Sequence, residues 1–200
     1  MEAMWTRFLP SMLKLEEILK SGIIGEALIL KADFGFKADY NPHSRLFDPL
    51  LGGGSLLDIG IYPVFLALFL WGEPENIKSQ IVLSPTGTDE SMTAILSYSN
   101  KRTAVIQSTF SVNMNTEAVI YGTEASVIIH HMWHMPTKMS LKTKAGIAEI
   151  PVEWNGNGYN YEIDEVTKCL DKGLTEHPQL DLDFSKKMMM TIEKIKEGSI

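Results

Sequence analysis

The chain of 200 residues is poor in cysteine: Cys169 is the only one, which excludes an internal disulfide. It has no Asn-x-Ser/Thr sequon, and its start shows no basic segment followed by an apolar run. Proteins of reducing compartments have this composition. We therefore expect a cytoplasmic location.

Basic residues are also few. Lysine and arginine number 18 against 25 aspartates and glutamates, which gives a net charge of −7 and a pI near 5.2. A chain of this charge offers no dominant basic surface, so we expect neither nucleic acid nor an anionic membrane as partner. The longest apolar stretch, Ile59 to Trp71, is about 13 residues, whereas a membrane span needs roughly 20. It predicts a buried core helix.

The first 24 residues read as a strand followed by a helix. The segment from Glu2 to Phe8 has strand character, Pro10 suits a first helical turn, and Gly22 suits the end of that helix. A lone strand and helix need other parallel strands to pack on. We therefore interpret residues 1–24 as the end of a preceding domain and residues 25–200 as a second domain.

Residues 25–200 have the pattern of an α+β fold. Further helices are predicted from near Asp58 to Trp71, from Tyr161 to Leu170 and from Ser185 to Lys196. Short turn clusters separate the strand-like segments, which favours antiparallel pairing. The segments are 27–36, 77–83, 90–98, 103–112, 117–121, 125–130, 139–142 and 148–152. The pattern predicts an open, mostly antiparallel β-sheet with helices on one face.

Such a sheet leaves its second face uncovered. In segment 103–112 the alternating residues place Val105 and Gln107 on one face and Ala104 and Ile106 on the other, and neither face is strongly charged. A second copy of the chain could cover the open face, which predicts a homo-oligomer.

The glycines at 52–54 do not have the spacing of a dinucleotide-binding loop, and they do not follow a first βαβ strand. We interpret them as an approach to the next helix, so no residue of this chain is predicted to bind a nucleotide. His130, His131 and His134 could suggest zinc and a hydrolase. However, neighbours on a strand point to opposite faces, which spoils a tetrahedral site. No metal site is predicted.

Asp58 and Tyr62 are four residues apart on one predicted helix, so their side chains share a face. Both could reach one small polar ligand. A free tyrosine has a pKa near 10, so Tyr62 is a better hydrogen-bond donor than a base. The alternative is that Asp58 caps the helix and Tyr62 packs in the core.

Three segments, in order along the chain, resemble the Gfo/Idh/MocA family of NAD(P)-dependent oxidoreductases, of the glucose–fructose oxidoreductase and dimeric dihydrodiol dehydrogenase type. They are MEAMWTRFLP at 1–10, GGSLLDIGIY at 53–62, and Tyr161-Glu162 followed by Val166, Cys169-Leu170 and Gly173. The resemblance implies that the chain is the C-terminal substrate and dimerisation part. The family's Rossmann domain, with its glycine-rich loop and a Glu-Lys-Pro segment, has no counterpart in this sequence.

The resemblance also implies roles for single residues. Asp58 and Tyr62 would assist the lysine of the missing part in oxidising a sugar or cyclic dihydrodiol, with NAD or NADP as hydride acceptor. Trp5 and Phe34 would line the substrate pocket, with core packing as the alternative. Arg7, two residues after Trp5 on the predicted strand, would face the same side and bind substrate, with a salt bridge as the alternative.

The chain alone is expected to be inactive and to bind neither NAD nor NADP tightly. A standalone binding or oligomerisation module of the same fold is the second hypothesis.

Overall fold

A computed structural model describes residues 2–198, which form an eight-stranded sheet with four α-helices. The helices are α1 (Pro10–Ser21), α2 (Ile61–Trp71), α3 (Tyr159–Asp171) and α4 (Leu182–Glu197). The strands are β1 (Ala27–Gly35), β2 (Asn76–Leu83), β3 (Asp89–Ser97), β4 (Thr103–Thr109), β5 (Ala118–Gly122), β6 (Ser126–Ile129), β7 (Met139–Thr143) and β8 (Gly146–Ile150). The predicted α+β class is confirmed.

The strand order is β2-β3-β4-β1-β5-β6-β7-β8, which leaves the sheet open. Every neighbouring pair is antiparallel except β1 and β4, which run parallel from Ile29 beside Thr103 to Gly35 beside Thr109. Short links join β2 to β3, β3 to β4, β5 to β6 and β7 to β8, and the nine residues 130–138 join β6 to β7. Links of a few residues require antiparallel pairing. The parallel pair arises because β1 inserts between these two runs.

The core lies on one face of the sheet. Along β1, Leu30 and Ala32 are buried while Ile29 and Lys31 are exposed, which is the alternation of a strand with one covered face. The core face packs against α1, α2 and α4, which contribute Leu15, Phe65 and Ile192 among others. The other face carries no helix, as predicted.

The helical segment from Pro49 to Trp71, which includes the apolar stretch, has the length and composition that a membrane-crossing helix would need. In the fold, Val64, Phe65, Leu66 and Ala67 are completely buried in the core cluster shared with the sheet. The stretch therefore contains the predicted core helix, α2.

The segment predicted as a strand from Glu2 to Phe8 is wrong in its secondary structure, because Trp5–Phe8 forms a 3-10 helix. Trp5 and Phe8 are both buried, and a spacing of three places them on one side of a helical turn. Trp5 and Arg7 consequently do not point to the same side. α1 follows and packs into the core of the sheet, and the domain division after residue 24 stays a prediction.

The close packing around Phe65 in the core predicts how much stability its truncation would cost. Phe65 is 0% exposed, with Phe69 and Phe184 beside its ring. We expect Phe65→Ala to lower the free energy of unfolding by about 3–5 kcal/mol in urea titrations, because the truncation leaves a cavity. Leu50→Ala is the control: Leu50 is 92% exposed, so its loss should change stability by less than about 0.5 kcal/mol. Equal losses for both variants would contradict this packing.

Candidate functional site

The helical segment that carries Asp58 begins with a π-helical turn, Leu56–Gly60, which leads into α2. Pro63 near the start of α2 has no N–H, so it cannot donate the regular helical bond to the residue four positions earlier. A widened turn before it accommodates that missing bond. π turns are rare and concentrate at functional sites, which directs attention to this segment.

A buried carboxylate holds the start of the π turn. Asp89, the first residue of β3, is 6% exposed and accepts hydrogen bonds from the Leu56 N–H at 2.6 Å and the Ser55 hydroxyl at 2.9 Å. Burial raises the pKa of Asp89, and these two bonds oppose the rise. Sequence reasoning missed Asp89, because its partners lie more than 30 residues earlier and no local motif links them.

Asp58 forms an ion pair with Arg45, from the polar loop before the glycines. Asp58 is half-buried and Arg45 is exposed. The alternative that Asp58 caps the helix does not hold, since Asp89 occupies the capping position at Leu56. The Asp58 carboxylate is instead 22% exposed and paired with Arg45.

The Tyr62 hydroxyl accepts a hydrogen bond from the indole N–H of Trp5 at 3.1 Å. Among the residues described, its own proton has no acceptor, so it is free to donate to a ligand. Burial, followed by smaller contributions that include the charge of Asp58, raises the pKa of Tyr62. The structure therefore favours Tyr62 as a hydrogen-bond donor rather than a base.

Tyr62 belongs to a group of five rings in contact with one another, which we call the aromatic wall: Trp5, Phe34, Tyr62, His134 and Tyr159. Trp5 stacks on Tyr159 with ring centres 4.3 Å apart, and Phe34 stacks on His134 at 4.1 Å. Tyr62 lies against both Phe34, at 5.7 Å, and His134, at 4.9 Å. The predicted residues Trp5, Phe34 and Tyr62 thus come together on one wall.

His134 is part of this wall, although sequence reasoning considered it only as a metal ligand. Its side chain is buried, and its Nδ1 has no hydrogen-bond partner within residues 2–198. Burial lowers the pKa of His134 to about 4, helped by the nearby His131. The imidazole is therefore neutral at pH 7. No signal in the sequence distinguishes His134 from its neighbours.

Arg7 does not join the aromatic wall. Its guanidinium donates to Glu16 of α1 at 2.7 Å and lies 5.0 Å from the ring centre of Phe69. The structure gives this buried residue the salt bridge that was its alternative interpretation.

The other two histidines of the cluster, His130 and His131, form hydrogen bonds with other groups of the protein. His130 pairs with the Ser140 hydroxyl at 2.8 Å, and His131 pairs with the Asn115 carbonyl at 2.7 Å. In the part of the chain that the structure describes, no three His, Cys, Asp or Glu side chains converge as metal ligands.

The glycines at 52–54 do not fit a nucleotide diphosphate. Gly54 has φ +126°, and a Cβ added there would lie 2.3 Å from the Asp89 Oδ1. A carboxylate packed against the glycines repels phosphate, whereas a diphosphate site needs converging N–H donors. The described residues that fit a ligand are those of the aromatic wall, which suits a small ring.

A separate cleft of about 490 Å³ is lined by Leu57, Ile81, Leu83, Asp89 and Lys196 among others, and its lining includes neither Asp58 nor Tyr62. Its Asp89 carboxylate already accepts two hydrogen bonds. The candidate site is consequently the aromatic wall around Tyr62, where Tyr62 is half-buried, Tyr159 is exposed and the other three rings are buried.

Residues 12–128 match the model of the GFO/IDH/MocA C-terminal domain. A trans-1,2-dihydrobenzene-1,2-diol dehydrogenase from Xenopus tropicalis is 38% identical over 194 residues, or 93% of this chain and 58% of that protein. The enzyme of the same name from Homo sapiens is 30% identical over 99% of this chain and 61% of its own. The chain belongs to the Gfo/Idh/MocA oxidoreductase family.

Solved structures of Gfo/Idh/MocA-type fold agree with this assignment. An aldose-aldose oxidoreductase from Caulobacter crescentus, complexed with glycerol, has a TM-score of 0.86 at 23% identity over 98% of this chain and 60% of its own. A 3-ketoreductase from Actinomadura kijaniata, in complex with NADP and TDP-benzene, has a TM-score of 0.84 at 17% identity over 98% of this chain and 61% of its own. At these identities the likeness shows the fold. The chain spans about 60% of the length of such relatives.

The neutral state of His134 predicts a pH dependence of stability. The folded pKa is about 4 and the ordinary value is 6.5, so the unfolded chain binds more protons between these values. Stability should therefore be complete above pH 6.5 and should fall as the pH drops towards 4. We expect urea titrations to show a loss of about 2 kcal/mol at pH 5 relative to pH 7.5 from this group.

Because other groups also titrate, the measurement is a comparison of variants. His134→Phe should remove this part of the loss, whereas His43→Gln, at an exposed position, should keep it. An undiminished acid loss in His134→Phe would show that His134 is not its source.

Proposed function

We propose that the chain forms the substrate-binding wall of an NAD(P)-dependent oxidoreductase that acts on a sugar or a cyclic dihydrodiol by hydride transfer. The nucleotide is held by residues outside this chain, and the chain alone is inactive. The observation that carries the proposal is the Tyr62 hydroxyl. Trp5 fixes its oxygen, its proton is free to donate, and Asp58 lies near enough for its charge to act on it.

Oxidation of a secondary alcohol requires a hydride acceptor and removal of the hydroxyl proton. A bound nicotinamide would supply the hydride acceptance. On this chain, Tyr62 donates a hydrogen bond to the substrate oxygen and so orients it. Its raised pKa argues against Tyr62 as the proton acceptor, so the hydroxyl proton would pass to the lysine that the family resemblance implies in the part outside this chain. Asp58, held by Arg45, provides the nearby negative charge.

The aromatic wall suits a ring-shaped substrate. The rings form an apolar surround and Tyr62 offers a donor within it, while the charge of Asp58, one helical turn earlier, acts on Tyr62. The names of the relatives support this combination, because one describes a dihydrobenzenediol and another an aldose. We propose the same class of small hydroxylated rings for this protein and, given its single cysteine, a cytoplasmic location.

The open sheet face supports a second element of the proposal, a homo-oligomer. Ile29, Ile95 and Tyr121 are exposed on that face. The register places Tyr121 beside Ile29, and Val105 of β4 between Ile95 and Lys31. An apolar surface of this kind favours cover by a partner. A non-catalytic oligomerisation module would use the same face, and only activity distinguishes the two hypotheses.

Activity is tested in a chimaera that joins this chain to the part of the Xenopus tropicalis relative that the match does not cover. We expect reduction of NADP in the presence of trans-1,2-dihydrobenzene-1,2-diol or an aldose. Tyr62→Phe and Asp58→Asn should each lower kcat by about 100-fold, because the first removes the donor that orients the reacting oxygen and the second removes the nearby negative charge.

Tyr98→Phe is the matched control for Tyr62→Phe, because Tyr98 is also buried and its hydroxyl has no hydrogen-bond partner among the described residues. It should leave kcat unchanged. Unaltered activity in Tyr62→Phe and Asp58→Asn would refute the site. Micromolar NADPH binding by the isolated chain would refute the proposal that the nucleotide is held by residues outside this chain.

The homo-oligomer is tested by Ile95→Lys, which places a charge on the open face beside Val105. We expect sedimentation to show an assembly for the unaltered chain and at least a tenfold weaker one for the variant, because a buried lysine without a partner is costly. Leu170→Lys on α3, which is even more accessible, should leave the assembly intact. A monomeric unaltered chain would disprove this element of the proposal.

A further inference from the structure

We propose that Asp89 is a positioning residue: from β3 it fixes the π-helical turn that carries Asp58, and so sets Asp58 and Tyr62 relative to the aromatic wall. The consequence for catalysis rests on the proposed function. The structural part of the inference rests only on contacts of this chain.

Asp89 holds the start of the turn through two donors. Its Oδ2 accepts from the Leu56 N–H at 2.6 Å and from the Ser55 hydroxyl at 2.9 Å. The Ser55 hydroxyl also lies 3.0 Å from that of Ser108 on β4. Ser55, the residue just before the π turn, is therefore bound to two strands at once.

The second carboxylate oxygen acts on the preceding peptide. A Cβ added to Gly54 would lie 2.3 Å from the Asp89 Oδ1, so only glycine allows this approach. The carbonyl of Gly54 in turn accepts the backbone N–H of Asp58 at 3.2 Å. Asp89 thus packs on the peptide that holds Asp58 itself.

The far end of the turn lies against β4. A Cβ added to Gly60 would lie 2.9 Å from the Ser108 hydroxyl oxygen. The turn is therefore held at its start by β3 and β4 and at its end by β4, and its one carboxylate, Asp58, pairs with Arg45.

A buried carboxylate is a costly way to begin a helix. Elsewhere in this chain the same task is done locally: Asp181 caps α4 by accepting from the Phe184 N–H at 2.7 Å, three residues away. At the π turn before α2, the capping carboxylate comes instead from the distant strand β3. This carboxylate is buried, so removing it from water costs free energy. A remote cap adds what a local cap lacks, a fixed position of the helix start relative to the sheet.

Amide hydrogen exchange on the full chain tests the structural part. We expect Asp89→Ala to speed exchange of the Asp58 and Ile59 amides by at least tenfold, while amides of β4 such as Ile106 change less than threefold. Asp89→Asn should retain most of the protection, because an amide oxygen accepts the same two bonds. Asp181→Ala, the matched control, should loosen only α4.

The chimaera tests the catalytic part. Asp89→Ala should lower kcat at least tenfold with KM within twofold, Asp89→Asn should restore most of it, and Asp181→Ala should leave kcat unchanged where all variants are folded. If Asp89→Ala does not fold, Ser55→Ala, which removes one of the two bonds, replaces it and should show a smaller loss of the same kind.

The outcomes separate the two hypotheses. An inactive unaltered chimaera would refute the proposed function, while hydrogen exchange would still decide on Asp89. Uniformly faster exchange across the sheet in Asp89→Ala, or a loss of kcat no larger than that of Asp181→Ala, would reduce Asp89 to a general stabilising role and overturn the inference.

Discussion

The contact between Asp89 and the start of the π turn is the constraint on which the candidate site depends. It ties the segment of Asp58 and Tyr62 to β3, while the apolar side of α2 binds the same segment to the core. The second attachment is strong but non-directional, since hydrophobic burial fixes no register by itself. The hydrogen bonds of Asp89 supply the direction, so that a helix held by its apolar side presents a defined pair of polar groups.

The sequence was sufficient for the sheet and the helices because they follow local patterns. Alternation along β1 and the turn clusters predicted strands within a few residues of their bounds, and the apolar run predicted α2. The parallel pairing of β1 with β4 was not predictable in this way, since it depends on insertion between two hairpin runs. The segment at Trp5–Phe8 failed for another reason: four residues are too few for a periodicity that separates a strand from a 3-10 helix.

The site was predicted in part for the same physical reason. Asp58 and Tyr62 share a helical spacing, and family resemblance pointed to Trp5 and Phe34, which the structure brings together with Tyr62. Asp89 and His134 were missed because each reaches the site from a distant part of the chain. Arg7 shows the converse: it is only two residues after Trp5, but its guanidinium pairs with Glu16, nine positions later on α1, and does not join the wall.

The aromatic wall explains how one side of the candidate site can hold its polar groups in a defined geometry. Tyr62 needs its oxygen fixed and its proton free, and Trp5 achieves this because an indole N–H can only donate. His134 beside it stays neutral in the same buried surroundings, so it places no positive charge next to the Tyr62 ring. Preorganised groups of this kind lose little entropy when a ligand arrives. Trp5, Phe34 and His134 are already buried, so a second surface over the half-buried Tyr62 would exclude the water that can still reach it.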